Sequence, residues 1–214
     1  MSSCRTAILS RIRQALNKRG TPTDIDEAFA NLTRRANSTV QPPLPAANVE
    51  SFSRAAIDNG AEVHRIETLE ELPRWVAARA AELDQTPGVV VSPQFAGTGL
   101  QWAPIETLDR VPQATDWGLA RGCAGIAETG TVVSVSRDCP SSSLFLVQRL
   151  VVVLDRVDIV AYQEEVWERL RQRFSGRVPR TINLITGPSR TADVEQQIQI
   201  GAHGPKWTDY VIVD

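Results

Sequence analysis

The chain has 214 residues, 42% of them hydrophobic, and a formal net charge of −2. That length suits one large domain, or one domain with an extension, around a sizeable buried core. Near-neutral charge with scattered basic residues argues against nucleic acid or an anionic membrane as main partner, and three widely spaced cysteines (Cys4, Cys123, Cys139) supply neither a disulfide framework nor a four-cysteine iron–sulfur cluster.

Residues 5–19 are predicted to form a helix, because Ile8, Ile12 and Leu16 repeat at four and Gly20 follows as a stop. Thr23 or Asp24 caps a second predicted helix with Ile25, Phe29 and Leu32 on one face. Residues 37–47 (NSTVQPPLPAA) are polar and proline-rich, the composition of an extended linker. Residues 1–47 are therefore expected to be a helical arm with its linker, and residues 48–214 the main domain. The first residues lack the apolar run of a secretory leader. The longest apolar run, Leu150–Leu154, is far too short to span a membrane, so the cytoplasm is the expected location.

In the main domain, residues 49–58 are weakly helical and Asn59-Gly60 is a turn. Residues 61–66 alternate as a strand. Residues 68–83 have helical spacing, with Thr68-x-x-Glu71 patterned as a capping box. Pro73 lies too deep for that start, so the helix is expected to kink or begin later. Residues 88–92 (GVVVS) have the continuous apolar pattern of a strand covered on both faces. Residues 100–118 show no clear pattern. Further strands are predicted at 124–127, 131–136, 151–154, 181–186 and 209–213, and a helix at 162–174. A short helix is predicted after Thr191, with Val194 and Ile198 on one face. Strands alternating with helices imply an α/β fold with a mostly parallel sheet.

Four places carry candidate chemistry. In Glu128-Thr129-Gly130-Thr131, Glu128 reads as nucleophile, general base or cation ligand, or as a solvated acid in a tight hairpin. Gly130 suits a positive φ or a close backbone approach to a ligand. From Gly187 to Asp193, Ser189, Thr191 and the amides of a helix start would hold a carboxylate or phosphate with Arg190 as a fork donor; plain helix capping is the other reading. His203, beside Gly204 in a glycine-flanked turn, suits proton transfer. His64 lies in an alternating strand and reads as structural or exposed. No HxxxH or HxH spacing marks a metal site, and none is expected. Gly97-Thr98-Gly99 lacks both the P-loop lysine and a full GxGxxG.

Taken in order, residues 127–131 (AETGT), 186–195 (TGPSRTADVE) and 201–205 (GAHGP) resemble the LUD (lactate utilisation) domain family. Residues 8–16 (ILSRIRQAL) are similar to an opening helix found there. The resemblance implies a fold related to the sugar-phosphate isomerases, CoA transferases and 5-formyltetrahydrofolate cyclo-ligase. It also implies a subunit of a system oxidising L-lactate to pyruvate, with the iron–sulfur clusters on partner proteins and no cofactor on this chain. Members tend to carry Pro-x-x-His before the strand that begins here at Leu150. This chain has Leu146-Val-Gln-Arg149; where that histidine is catalytic, the role is lost or moved here, and Arg149 is then expected to favour anion binding over proton transfer.

The expected site joins Glu128 and His203 as proton-handling groups to Thr129, Gly130, Thr131, Gly187, Ser189, Arg190, Thr191, Asp193 and Gly204 around a small anion. It is expected at the carboxyl ends of the sheet strands. Two alternatives stand beside this one. The first is a stand-alone CoA-transferase-like or sugar-phosphate enzyme using Glu128, an analogy at the level of the fold. The second is a non-catalytic scaffold or ligand sensor.

Overall fold

The computed structural model describes residues 2–17, 48–175, 179–192 and 198–214, with side chains in the first stretch described for residues 5–15. The helix expected around Ile25, Phe29 and Leu32, the 37–47 linker, and Asp193 and Val194 lie outside the described residues. Contacts divide the chain into two units, 1–43 and 44–214. In the first, helix α1 (Ser2–Asn17) forms where the four-residue spacing places it, and it exposes Ile8, Leu9 and Ile12.

The second unit opens with α2 (Val49–Asp58), capped by Asn48, whose Oδ1 accepts from the Ser51 amide at 3.0 Å. Strand β1 (Glu62–Ile66) follows. A single 3₁₀ turn, Leu69–Glu71, leads into α3 (Leu72–Glu82). Thr68 makes no side-chain cap; α3 begins later than the capping-box pattern suggests, with Pro73 in its first turn, where a missing N–H costs nothing.

After β2 (Val89–Val91) and β3 (Trp117–Arg121), an antiparallel hairpin pairs β4 (Ala124–Ile126) with β5 (Thr131–Val135). Then come α4 (Ser141–Phe145), β6 (Arg149–Asp155), β7 (Ile159–Val160) and α5 (Gln163–Arg173). The chain ends with β8 (Ile182–Ile185), β9 (Arg190–Thr191), β10 (Gln199–Ile200) and β11 (Trp207–Val213).

Five strands form one sheet in the order β1-β11-β6-β3-β2, every neighbouring pair parallel. A second sheet, β7-β4-β5-β8, is mixed. The fold is thus α/β with a mostly parallel central sheet flanked by helices, as the alternating pattern predicts.

Period-two alternation explains the layers. On β6, Leu150, Val152 and Leu154 face α2 and the second sheet, packing with Phe52, Ala56, Val132 and Ile185. Val151 and Val153 point the other way, onto Leu72 and Val76 of α3. The far side of the second sheet (Ile126, Val133, Val135) is covered by Val166 and Leu170 of α5. β6 is apolar on both faces because both are covered, each full side-chain burial contributing about 1.5–3 kcal/mol.

Residues 100–118, which show no clear pattern in the sequence, run into β3, whose Trp117 is buried. A further expectation needs correction. The helix expected after Thr191 does not begin there: Arg190 and Thr191 pair antiparallel with Ile200 and Gln199. The Ser189 amide donates to Pro205 O at 2.9 Å, and the Gly201 amide donates to Ser189 O at 2.8 Å. A hairpin root, not a helix dipole, therefore holds Ser189.

Candidate functional site

Both glycine-containing segments lie against the carboxyl end of α2. Asn59 Nδ2 donates to Ala55 O at 2.8 Å and to Thr129 O at 3.1 Å, so the turn closing α2 also grips the β4–β5 hairpin. Gly130 has φ +62°, and a Cβ there would collide with the backbone of Ala55 and Ala56. The positive φ expected at Gly130 is present, and the close approach is to a helix instead of the ligand expected. Gly187, with φ +73°, has no room for a Cβ beside Asn59 O. The Gly187 amide donates to Tyr210 Oη at 3.0 Å, and that hydroxyl donates to Ile185 O at 2.7 Å. Burial pushes the Tyr210 pKa up, keeping the phenol protonated for this role. Three hydroxyls then join the segments: Thr129 Oγ1 to Thr131 Oγ1, and Thr131 Oγ1 to Thr186 Oγ1, each at 2.7 Å.

Beyond this joint lies a cavity of about 390 Å³, lined among others by Thr186, Ser189, Arg190 and His203, with Leu150 and Ile185 as its apolar floor. A neighbouring cavity of about 550 Å³ is lined by Leu146, Val147, Lys206 and others, and shares Phe145, His203 and Gly204 with the first. His203 and Gly204 therefore stand between the two. Among the described residues, no acidic side chain lines either cavity. Arg190 has no ion-pair partner among the described residues, and its guanidinium lies over Gly60, where any Cβ would overlap it. A cation, hydroxyls and an imidazole around one hollow can hold an anion and exchange a proton with it.

The structure brings together Gly187, Ser189, Arg190, His203 and Gly204 in one cavity wall. Thr129 and Thr131 reach it through Thr186, and Thr191 sits half-buried in the β9–β10 pair. Glu128 is half-buried at the β4–β5 turn, its amide donating to Ala161 O at 3.0 Å, and is not among the described residues lining either cavity. Asn59, Gly60, Thr186, Tyr210 and Lys206 were not foreseen as site residues. Asn59-Gly60 gives only a turn signal, and its contacts to residues 129 and 190 join segments far apart in sequence.

Arg149 does not take the anion-binding role expected of it. It is buried, pairs with Asp209 and lies 3.6 Å from Glu62, with its guanidinium carbon 5.3 and 5.4 Å from the Trp117 and Trp207 ring centres. Its charge is spent inside the fold. Arg79 pairs with the same two acids, and His64 Nε2 lies 3.1 Å from Asp209 Oδ1 with its ring on Trp75. Ligand atoms of Glu62, His64 and Asp209 lie within 4.8 Å of one another. Two guanidinium groups already occupy those carboxylates, so a cation would have to displace them.

The cavity also differs in place from the expectation. It borders the amino ends of β6 and β11 and the carboxyl end of β8. The crevice at the carboxyl ends of β3 and β6 is a separate hollow of about 470 Å³, with Arg121 paired to Asp155 and Arg173 to Asp138 at 2.7 Å. Burial, and then Asp155 nearby, push the Asp158 pKa up. Burial also pushes the Cys123 thiol in this crevice up to about 11, so it is no ready nucleophile. In the Gly97–Gly99 loop, Thr98 Oγ1 donates to Phe95 O at 2.7 Å, a turn contact. Among the described residues, no helix is long and apolar enough to cross a membrane.

Comparison with known proteins adds the following. The family model described as LUD domain matches residues 49–213. "Lactate utilization protein C" of Shouchella clausii (strain KSM-K16) is 33% identical over 117 residues, covering 53% of this chain and 51% of that protein. The protein of the same name from Geobacillus kaustophilus (strain HTA426) is 31% identical over 118 residues, covering 52% of this chain and 49% of that one. The chain thus aligns with about half the length of the curated relatives it matches. A crystal structure of a DUF162 family protein from Deinococcus radiodurans shares the fold, with a TM-score of 0.60, 19% identity, and coverage of 81% of this chain and 100% of that one.

Proposed function

The chain belongs to the LUD domain family, and from that premise we propose that it serves lactate utilisation by binding a small organic anion in the groove between Arg190 and His203. The observation that carries this reading is the guanidinium of Arg190, which among the described residues has no ion-pair partner and lines a cavity with no acidic side chain. A carboxylate there gains a charge-assisted, two-pronged contact from Arg190, with the hydroxyls of Thr186 and Ser189 on the same wall. His203, on that wall, is the group placed to take or give a proton at the hydroxyl or keto oxygen of a lactate- or pyruvate-sized ligand. Thr129, Gly130 and Thr131 act as support, fixing Thr186 through the hydroxyl chain.

Relatives carrying the name lactate utilization protein C support the pathway. In this reading, which follows the family resemblance, electrons leave through iron–sulfur partner proteins; the chain's three cysteines are too few for a four-cysteine cluster, which agrees with that division. Two experiments test it. Calorimetric titration with L-lactate and with pyruvate should give saturable binding to the wild type and at least a tenfold loss in Arg190→Ala. Equal binding by the two proteins would remove the anion clamp. Native pull-down from a lactate-grown host should recover iron–sulfur subunits, and recovery of the chain alone would remove the partner assignment.

A further inference from the structure

The groove is longer than a three-carbon acid needs, polar around Arg190 and mainly apolar in its second cavity. Its two cavities, of about 390 and 550 Å³, each fall in the range that encloses ligands much bigger than lactate. They meet at Phe145, which is 38% exposed, and the second continues along Leu146, which is 50% exposed. The fold forces that exposure. Gly118 on β3 has no room for a Cβ beside Ser143 O and Val147, so α4 is pressed onto the sheet. Ser143, Leu144 and Val147 are buried by this contact, which leaves Phe145 and Leu146 turned outward. Large apolar side chains held open in a hollow, beside a cation, match a ligand with an anionic head and an apolar body.

The two cations of the groove are not equivalent. The Lys206 ammonium lies 4.6 Å from the Trp207 ring centre, a cation–π partner within the chain. Arg190 has neither an acidic nor an aromatic partner among the described residues. The head therefore belongs at Arg190, and the body belongs on the Phe145–Leu146 wall.

Resting on the anion site proposed above, we infer that the groove accepts straight-chain 2-hydroxy or 2-oxo monocarboxylates longer than lactate, with the carboxylate at Arg190 and the alkyl chain passing His203 onto Phe145 and Leu146. The full chain is titrated calorimetrically with L-lactate, 2-hydroxybutanoate, 2-hydroxyhexanoate and 2-hydroxyoctanoate. Affinity should tighten about two- to threefold per added methylene, less than full burial gives because the groove is open. Leu146→Ser, an exposed position that folding tolerates, should flatten the series. Arg190→Ala should weaken every member. A flat series in the wild type, with lactate still bound through Arg190, overturns this inference and leaves the anion site standing. No Arg190-dependent binding by any member overturns both. Tighter binding of dicarboxylates of matched length would place a second anion at Lys206 and overturn the apolar tail. Equal binding of straight-chain alcohols would overturn the role of the head.

Discussion

The amino ends of β6 and β11 carry cationic side chains near both faces of the five-stranded sheet, and the two faces treat them oppositely. On the α3 side, Arg149 and Arg79 are buried against Asp209 and Glu62, and Arg149 also lies between two indoles. On the other side, where Val147 and Leu150 line the cavities, Arg190 and Lys206 are exposed with no acid paired to them among the described residues. A buried charge must be matched or the fold does not tolerate it. An exposed charge needs no match, so its company reflects something other than folding. The first cluster is set by stability; the second is the one proposed to meet a ligand.

The harshest way to break that contrast is to remove the acid from the saturated cluster. Asp209 is fully buried and contacts Arg149, Arg79 and His64. Asp209→Ala strands two guanidinium groups, and urea unfolding should show a loss of about 3–5 kcal/mol. A loss below about 1 kcal/mol would mean that solvent reaches the cluster and that the two faces are not different in kind.

A smaller effect is expected where the open face is braced. Gly130→Ala forces a Cβ into the backbone of α2 at a positive φ, so unfolding should show a loss of about 2–3 kcal/mol. Because Asn59 grips the same hairpin and Gly60 seats Arg190, anion affinity should fall with it. Full stability in Gly130→Ala would show that the hairpin is not pressed onto α2.

The sequence carried these regions unequally. The layers were legible because their signal is local: the apolar run Leu150–Leu154 reads directly as a strand covered on both faces. The Arg149 cluster was misread because its meaning depends on Asp209, sixty positions away, and nothing near Arg149 announces that partner. Ser189–Thr191 was misread for a similar reason. Hydroxyls after a Gly-Pro turn have the composition of a helix start, but their backbone is claimed by Pro205, Gly201 and the β10 strand. Arg190, His203 and Gly204, read from the sequence as site residues, do line one cavity. That cavity lies at the amino ends of β6 and β11, a place that a rule favouring carboxyl ends does not point to, because it weighs strand direction and not which charges are already matched.

Arg110 extends the contrast at lower amplitude. Burial disfavours the Asp116 carboxylate, but Arg110, at 2.6 and 2.9 Å, and the Gln113 amide, at 2.6 Å, hold its pKa below the ordinary value. A depressed folded pKa gives stability that is present above the unfolded value, near 3.9, and lost as pH falls through the folded one. Arg110→Ala should therefore destabilise the fold at pH 7, and only slightly, because the arginine is 40% exposed and solvent screens the pair. The penalty should shrink below about pH 4. A penalty that grows on acidification would reverse the sign and count against the pair.

The smallest stability effect is expected at the residue with the largest functional one. Arg190 is exposed and has no ion pair among the described residues, so Arg190→Ala leaves no partner stranded. Its unfolding free energy should lie within about 0.5 kcal/mol of the wild type. Anion binding should nonetheless be lost, because a methyl group cannot replace a fork of donors. Arg190→Lys discriminates further: it keeps the charge and loses the planar fork, so it should restore only part of the affinity. If Arg190→Ala were as destabilising as Asp209→Ala, Arg190 would belong with Arg149 as a structural cation, and the groove would lose its argument for a ligand. If it is silent in unfolding and silent in binding alike, the cation is merely solvated. Loss of binding at unchanged stability is the one combination that a merely structural arginine and a merely solvated one both fail to produce.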